Sequence, residues 1–182
     1  ASCKARRASA AGAPRRAPNR PEFPLPMTVD DPFKHSSLGS GVFYRNPRAA
    51  LVWLEAAFGF ERSMVVSDAE GKLIHAEMRF GDSYIVVDSE WADYVASPAS
   101  VSGKNTQSVY VRLRNGLDAH CEQARAAGAD IIQEPTDQFY GERQYRARDP
   151  EGHVWTFTQP IRSVSREEAE RLSGLRIEGW HR

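Results

Sequence analysis

The apolar and polar positions fall into two similar halves. Residues 40–46, SGVFYRN, are rich in aromatic and β-branched side chains and predict a strand. Asn46 followed by Pro47 predicts a capped helix start. Ala50, Leu51, Leu54 and Phe58 then recur at helical spacing, and Trp53 and Ala57 widen the stripe. Gly59 ends it, as glycine does beyond a helix C-terminus. Three strands are expected next, over residues 61–68, 72–80 and 83–89. A turn at Asp68-Ala69-Glu70-Gly71 and a tight one at Gly81-Asp82 separate them.

After a polar linker, residues 90–106, the order recurs. Residues 107–114 read as a strand. A helix over 117–127 carries Leu117, Cys121 and Ala124 on one stripe, with Gly128 behind it. Strands are expected at 130–135, 142–149 and 153–159, with a loop over 136–141. A short helix should follow Ser165, because Ser165 and Glu168 have capping-box spacing and Gly174 can close it. Asn46, Gly59, Asp82 and Val87 match Asn115, Gly128, Glu151 and Thr156 at one offset, 69 residues. One β-α-β-β-β unit is therefore used twice. The expected architecture is α+β: modules over 39–89 and 107–159 make one domain, 39–160, around a curved mixed sheet. A helix and tail occupy 161–182.

Composition changes this picture at the N-terminus. Residues 1–38 are a basic Ala/Arg/Pro-rich tail that lacks the bulky apolar residues needed to order itself. Three readings of it stay open: sequence upstream of a start at Met27, a disordered tail, or a transit-like peptide. Lys4, Arg6, Arg7, Arg15, Arg16 and Arg20 face Glu22 alone within residues 1–26, so 18 of 24 basic and 23 of 24 acidic residues remain for the rest. That balance gives the domain no global pull on nucleic acid. Two cysteines, Cys3 and Cys121, make no disulfide framework, and no run has the length of a membrane span. A reducing, cytoplasmic setting is expected.

The doubled β-α-β-β-β order, FGF after the first helix, AAGA after the second and YGERQYRARDPEGHVWTF near the end resemble the vicinal oxygen chelate superfamily. That group includes glyoxalase I, bleomycin- and fosfomycin-resistance proteins, extradiol dioxygenases and proteins related to PhnB. The resemblance spans about residues 40–160. It implies a ligand cavity on the concave side of the sheet, and in the enzymes a divalent metal held by His, Glu or Gln. The matching positions here are Gly39 or Ser40, Val86 or Val87, Ser108 or Val109, and Thr156. These residue types do not ligate Zn²⁺-class metals, so no metal and no cofactor is expected.

Other residues could carry chemistry. His75 and Glu77 are two apart on a strand and share a face, as a base and its orienting partner would. They are the candidate catalytic pair. His35 precedes the domain, His120 is expected on the exposed face of its helix, and His153 follows a turn. Phe43, Tyr140, Arg143, Tyr145, Arg148 and Thr156 are the candidate ligand-binding residues, since rings and guanidinium groups suit a planar or anionic molecule. Arg148 with Asp149 could equally be a structural pair. The reading is a metal-free small-molecule binder of the sequestering, resistance type. A lyase, isomerase or dioxygenase-like enzyme of the same superfamily is the alternative. A homodimer is expected, with Trp91 and Tyr94 of the linker as candidate contacts.

Overall fold

The structure is a computed structural model and describes residues 35–180. The expectations for residues 1–34 lie outside the described residues. The first module is β1 (Ser40–Tyr44), α1 (Pro47–Phe58), β2 (Glu61–Ser67), β3 (Leu73–Phe80) and β4 (Ser83–Ser89). A short 3-10 turn, Pro98–Val101, interrupts the linker. The second module is β5 (Val109–Arg112), α2 (Leu117–Ala126), β6 (Asp130–Asp137), β7 (Glu142–Arg148) and β8 (Val154–Pro160), followed by α3 (Arg166–Ser173).

Local chemistry sets the helix ends. The Asn46 side chain accepts from the Ala49 amide at 3.1 Å, and Gly59 takes the left-handed conformation (φ 71°) that a side chain would oppose. Ser165 caps α3 through the Glu168 amide at 3.1 Å. The repeat is imperfect at α2, whose N-cap is Gly116 with no side-chain bond. β6 also runs through residues expected to be loop, with irregular register on either side of Gln133.

The eight strands form two four-stranded sheets, ordered β1-β4-β3-β2 and β5-β8-β7-β6, rather than one unbroken ladder. β1 is parallel to β4 and β5 to β8; the remaining pairs are antiparallel. The edge strands β1 and β5 approach each other, and the Gln107 side chain donates to the Gly41 carbonyl at 2.9 Å across the seam. One face of each sheet carries the core. Val42, Tyr44, Ala76, Met78, Ile85 and Val87 meet α1, while Val111, Tyr145, Ala147, Trp155 and Phe157 meet α2. Phe58 joins the halves through ring contacts with Trp155 (5.3 Å) and Phe157 (4.7 Å).

The register corrects the repeat in one place. Val42 pairs with Val87, yet Val111, 69 residues on, pairs with Phe157. Thr156 therefore corresponds to Val86, and Val87 belongs to the core. The extra residue lies in the β7–β8 loop. That loop spans 149–153, whereas Phe80 pairs with Ser83 across only Gly81 and Asp82.

Asp149 in that loop locks the modules together. Its Oδ2 accepts from the Tyr44 hydroxyl at 2.6 Å and the Trp155 indole at 3.1 Å; Oδ1 accepts the amides of Glu151 (3.0 Å) and His153 (2.9 Å). Burial, then the charge and hydrogen bond of Asp149, hold the Tyr44 hydroxyl well above the usual phenol range, so it stays a donor. Arg148 pairs with Asp130 at 3.2 Å, so the alternative of a structural Arg148–Asp149 pair does not form. Removing one buried donor of a carboxylate costs about 1–3 kcal/mol. Tyr44→Phe is expected to destabilise the protein by that amount in chemical denaturation, and Asp149→Ala by more, since it strands both Tyr44 and Trp155.

Candidate functional site

The faces turned away from the helices form the candidate site. Strand alternation puts Gly41 and Phe43 of β1, His75, Glu77 and Arg79 of β3, and Val86 and Asp88 of β4 on the first open face. Tyr110 of β5, Thr156 of β8 and Arg146 of β7 make one cross-strand row on the second. A cleft of about 920 Å³ follows the seam between them, with Gly39, Tyr84 and Tyr110 on its walls. Gly39 gives the Tyr84 ring its room: a Cβ would come within 2.5 Å of the ring, which would have to shift.

The first open face holds a chain of four titratable groups. His35 Nε2 lies 2.8 Å from Glu77 Oε2, and His75 Nε2 3.3 Å from Glu77 Oε1. On its other side His75 Nδ1 lies 3.4 Å from Asp88. Glu77 is buried, which pushes its carboxyl up. Hydrogen bonds from His35 and His75, with their charges, outweigh that and hold it below the usual carboxylate range. His35, placed before the domain by the sequence, thus belongs to the site. It also lies against the Tyr84 ring at 4.4 Å.

The second open face is phenolic and cationic. The Tyr140 hydroxyl donates to Gln144 Oε1 at 3.1 Å, and Gln144 is itself buried. Burial raises the pKa of the Tyr140 hydroxyl, Glu142 and Tyr110 raise it further, and Arg146 opposes them. Arg112 pairs with Glu142 at 2.8 Å along one edge. Thr156 is 1 % exposed, and its Oγ1 has no partner, alone in this among the buried side-chain polar atoms of the described residues.

Several expected site residues are elsewhere. Tyr145 lies on the helix face, fully buried and stacked on Phe157 at 4.9 Å. Arg143 shares that face and binds Asp118 of α2 at 2.9 Å and Asp137 at 2.6 Å. Neither can line the open face, because both alternate with Gln144 and Arg146. Arg148 has the right parity but sits at the exposed end of β7, on Asp130. Gly141 backs onto the C-terminal segment, where a Cβ would come within 2.4 Å of the Arg162 carbonyl oxygen. His120 is not solvent-facing: it accepts from the Tyr145 hydroxyl at 2.6 Å and donates to the Phe58 carbonyl at 3.1 Å. Burial lowers its pKa, against the opposing carbonyl bond, because packing α1 on α2 closes over the ring. His153 is likewise buried, with Nε2 donating to the Phe43 carbonyl at 2.8 Å. Phe43, Tyr140, Thr156, His75 and Glu77 do reach the open faces. Tyr110 and Arg146 join them, brought opposite Thr156 by the cross-strand register.

The metal positions implied by the family fit poorly. The open-face members are Gly39, Val86, Ser108 and Thr156, which offer two hydroxyls and no nitrogen or carboxylate. The His35–Glu77–His75–Asp88 chain is no substitute. Its histidine nitrogens face carboxylates on opposite sides of the His75 ring, and no group of three His, Cys, Asp or Glu among the described residues is placed to hold an ion.

The Glu77 pairing has a pH signature. A carboxyl held low in the folded state stabilises above its unfolded pKa, near 4.3, and that contribution disappears as pH falls through the folded value. Glu77→Gln is expected to cost about 1–3 kcal/mol at neutral pH. Its stability curve should be flatter than the parent's on the acid side of pH 4.3. Urea melts across that range check both.

Comparison with known proteins agrees with the fold. TioX from Micromonospora sp. ML1 is 32% identical, with a TM-score of 0.54 over 69% of this chain and 99% of its own. A glyoxalase/bleomycin resistance protein/dioxygenase family enzyme from Burkholderia phytofirmans PsJN shares the fold at 21% identity, with a TM-score of 0.52 over 68% of this chain and 97% of its own. An uncharacterized protein of Mycobacterium tuberculosis is 28% identical over 118 residues, 63% of this chain and 68% of that one. No helix among the described residues is long and apolar enough to cross a membrane. The description of the Glyoxalase/Bleomycin resistance protein/Dioxygenase superfamily matches residues 33–157, and the chain belongs to that superfamily.

Proposed function

We propose that this protein binds a small aromatic or anionic molecule between its open faces without a metal ion, as a sequestering protein does. The observation that carries this reading is Thr156 Oγ1, a buried hydroxyl without a partner, in one cross-strand row with Tyr110 and Arg146. Leaving a buried polar atom unpaired costs free energy in the empty protein, and a ligand acceptor or donor at that point restores it. The phenols offer ring faces, and Arg146 offers charge. An open-face cavity of this kind suits a homodimer in which a second copy shields the edge strands.

The alternative is a metal-independent lyase or isomerase using His75 and Glu77. Asp88, His75, Glu77 and His35 in sequence favour it as a proton-holding chain. Binding ranks first because both nitrogens of His75 already face carboxylates, leaving neither directed at a ligand.

Thr156→Val separates a binding role from a packing role. It is expected to leave the melting temperature unchanged or slightly higher, because no hydrogen bond is lost. Affinity for planar aromatic compounds, measured by calorimetry in the presence of chelator, should fall about fivefold. One tightly held divalent ion per chain, with binding lost when it is stripped, would overturn the reading. Turnover that survives chelator and disappears in His75→Ala would favour the enzyme.

A further inference from the structure

The two ends of the β1/β5 seam are related by the internal repeat but built differently. At one end Glu151, in the five-residue loop 149–153, reaches across. Its Oε2 accepts the Arg45 amide at 2.9 Å and its Oε1 the Asn46 amide at 3.0 Å. Arg45 Nε lies 3.6 Å from Oε2, and the Ser97 hydroxyl donates to that oxygen at 2.6 Å. Asn105 bonds to the Gly152 carbonyl at 2.8 Å beside it. A carboxylate, flanked by the linker, closes this end.

The other end is open. The equivalents of Arg45 and Asn46 are Arg114 and Asn115. The opposing turn has only Gly81 and Asp82, and Asp82 carries one methylene fewer than Glu151. Asp82 and Arg114 both line the cleft and both are exposed; neither makes an ion pair or side-chain hydrogen bond among the described residues. Leu113 donates to the Thr158 carbonyl at 2.7 Å. Alternate residues of a parallel strand bond to the same neighbour, so the Arg114 amide points away from β8 and into the seam. Below it the cleft is walled by Phe60, Phe80, Ile85, Val111 and Leu113.

We propose that this open end receives the carboxylate of an apolar organic acid, which stands where Glu151 stands at the closed end. The inference rests on the small-molecule reading above and adds the ligand's chemical class. Two backbone amides and a guanidinium are the donor set the fold already uses for a carboxylate at Arg45 and Asn46. The apolar walls take a ring or a short hydrocarbon body, and a volume near 920 Å³ is ample for one. Asp82 on the facing wall disfavours a second negative charge, so the acid carries a single carboxylate.

The test titrates the isotope-labelled full chain with naphthoate and, separately, with naphthamide, which has the same rings and no charge. Naphthoate is expected to shift the Arg114 and Asn115 amide resonances saturably, with naphthamide about tenfold weaker. Arg114→Gln should weaken naphthoate by a similar factor and leave naphthamide unchanged. Asp82→Asn should tighten naphthoate about twofold at low salt. Equal affinity for the two compounds on the unsubstituted protein would overturn the proposal. So would shifts confined to Tyr110, Arg146 and Thr156, although that result would leave the binding function standing. If naphthoate does not bind at all, the proposal fails.

Discussion

A buried carboxylate that must be satisfied organises this molecule. Asp149 lies at the start of the β7–β8 loop and is almost fully enclosed. An unpaired carboxylate there would be prohibitively costly, so four donors converge on it from β1, β8 and its own loop. The two amide bonds shape the loop that delivers Glu151 to the β1–α1 junction. The Tyr44 bond crosses from one module to the other. The Trp155 bond fixes the ring against which Phe58 and Phe60 pack. The union of the two sheets therefore depends on polar satisfaction as much as on apolar area, since no backbone ladder joins β1 to β5.

The two halves have taken different chemistry on a common scaffold. Both modules devote one strand face to the core and leave the other open, as alternation demands. On the first the open positions became imidazole and carboxylate; on the second, phenol and guanidinium. The helix-facing positions are mostly apolar in both, with the bonded His120–Tyr145 pair and Arg143 on Asp118 as exceptions. The modules differ most plainly on these open faces, where packing does not dictate the residue.

Much of the fold was legible because it is written in short-range signals. Asn46-Pro47 and Ser165 with Glu168 announce helix starts, and Gly59 and Gly174 announce ends, within a few residues of where the structure puts them. Trp155 and Phe157 were readable as core from alternation about Thr156. The site was less legible because it is assembled across distance. His35 meets Glu77 over 42 residues, and no local pattern points there. The helical stripe through Leu117, Cys121 and Ala124 says nothing about a second helix covering His120. Tyr145 and Arg143 were grouped with Tyr140 and Arg148 as ligand-binding residues; strand register shows that consecutive residues of β7 serve opposite faces. The offset of 69 held through β7 and slipped by one in the following loop, a change too small to see without the pairing of Val111 with Phe157.

That one-residue slip bears on how a duplicated fold acquires a directional cavity. Two identical modules about a pseudo-twofold axis would give a seam with identical ends. Here a five-residue loop carries a glutamate to the amides of β1's end, while a two-residue turn leaves an aspartate short of the equivalent amides. A type of turn that joins two strands tightly has little reach beyond its own ladder, whereas a loop with one residue inserted carries a side chain across the gap. The Arg114 amide at the open end is a backbone group and persists whatever side chains change, so the shorter turn leaves open there a space that the longer loop fills at the other end. Asymmetry of this kind comes from loop length, and it leaves the packed core, whose positions match across the two modules, unaltered.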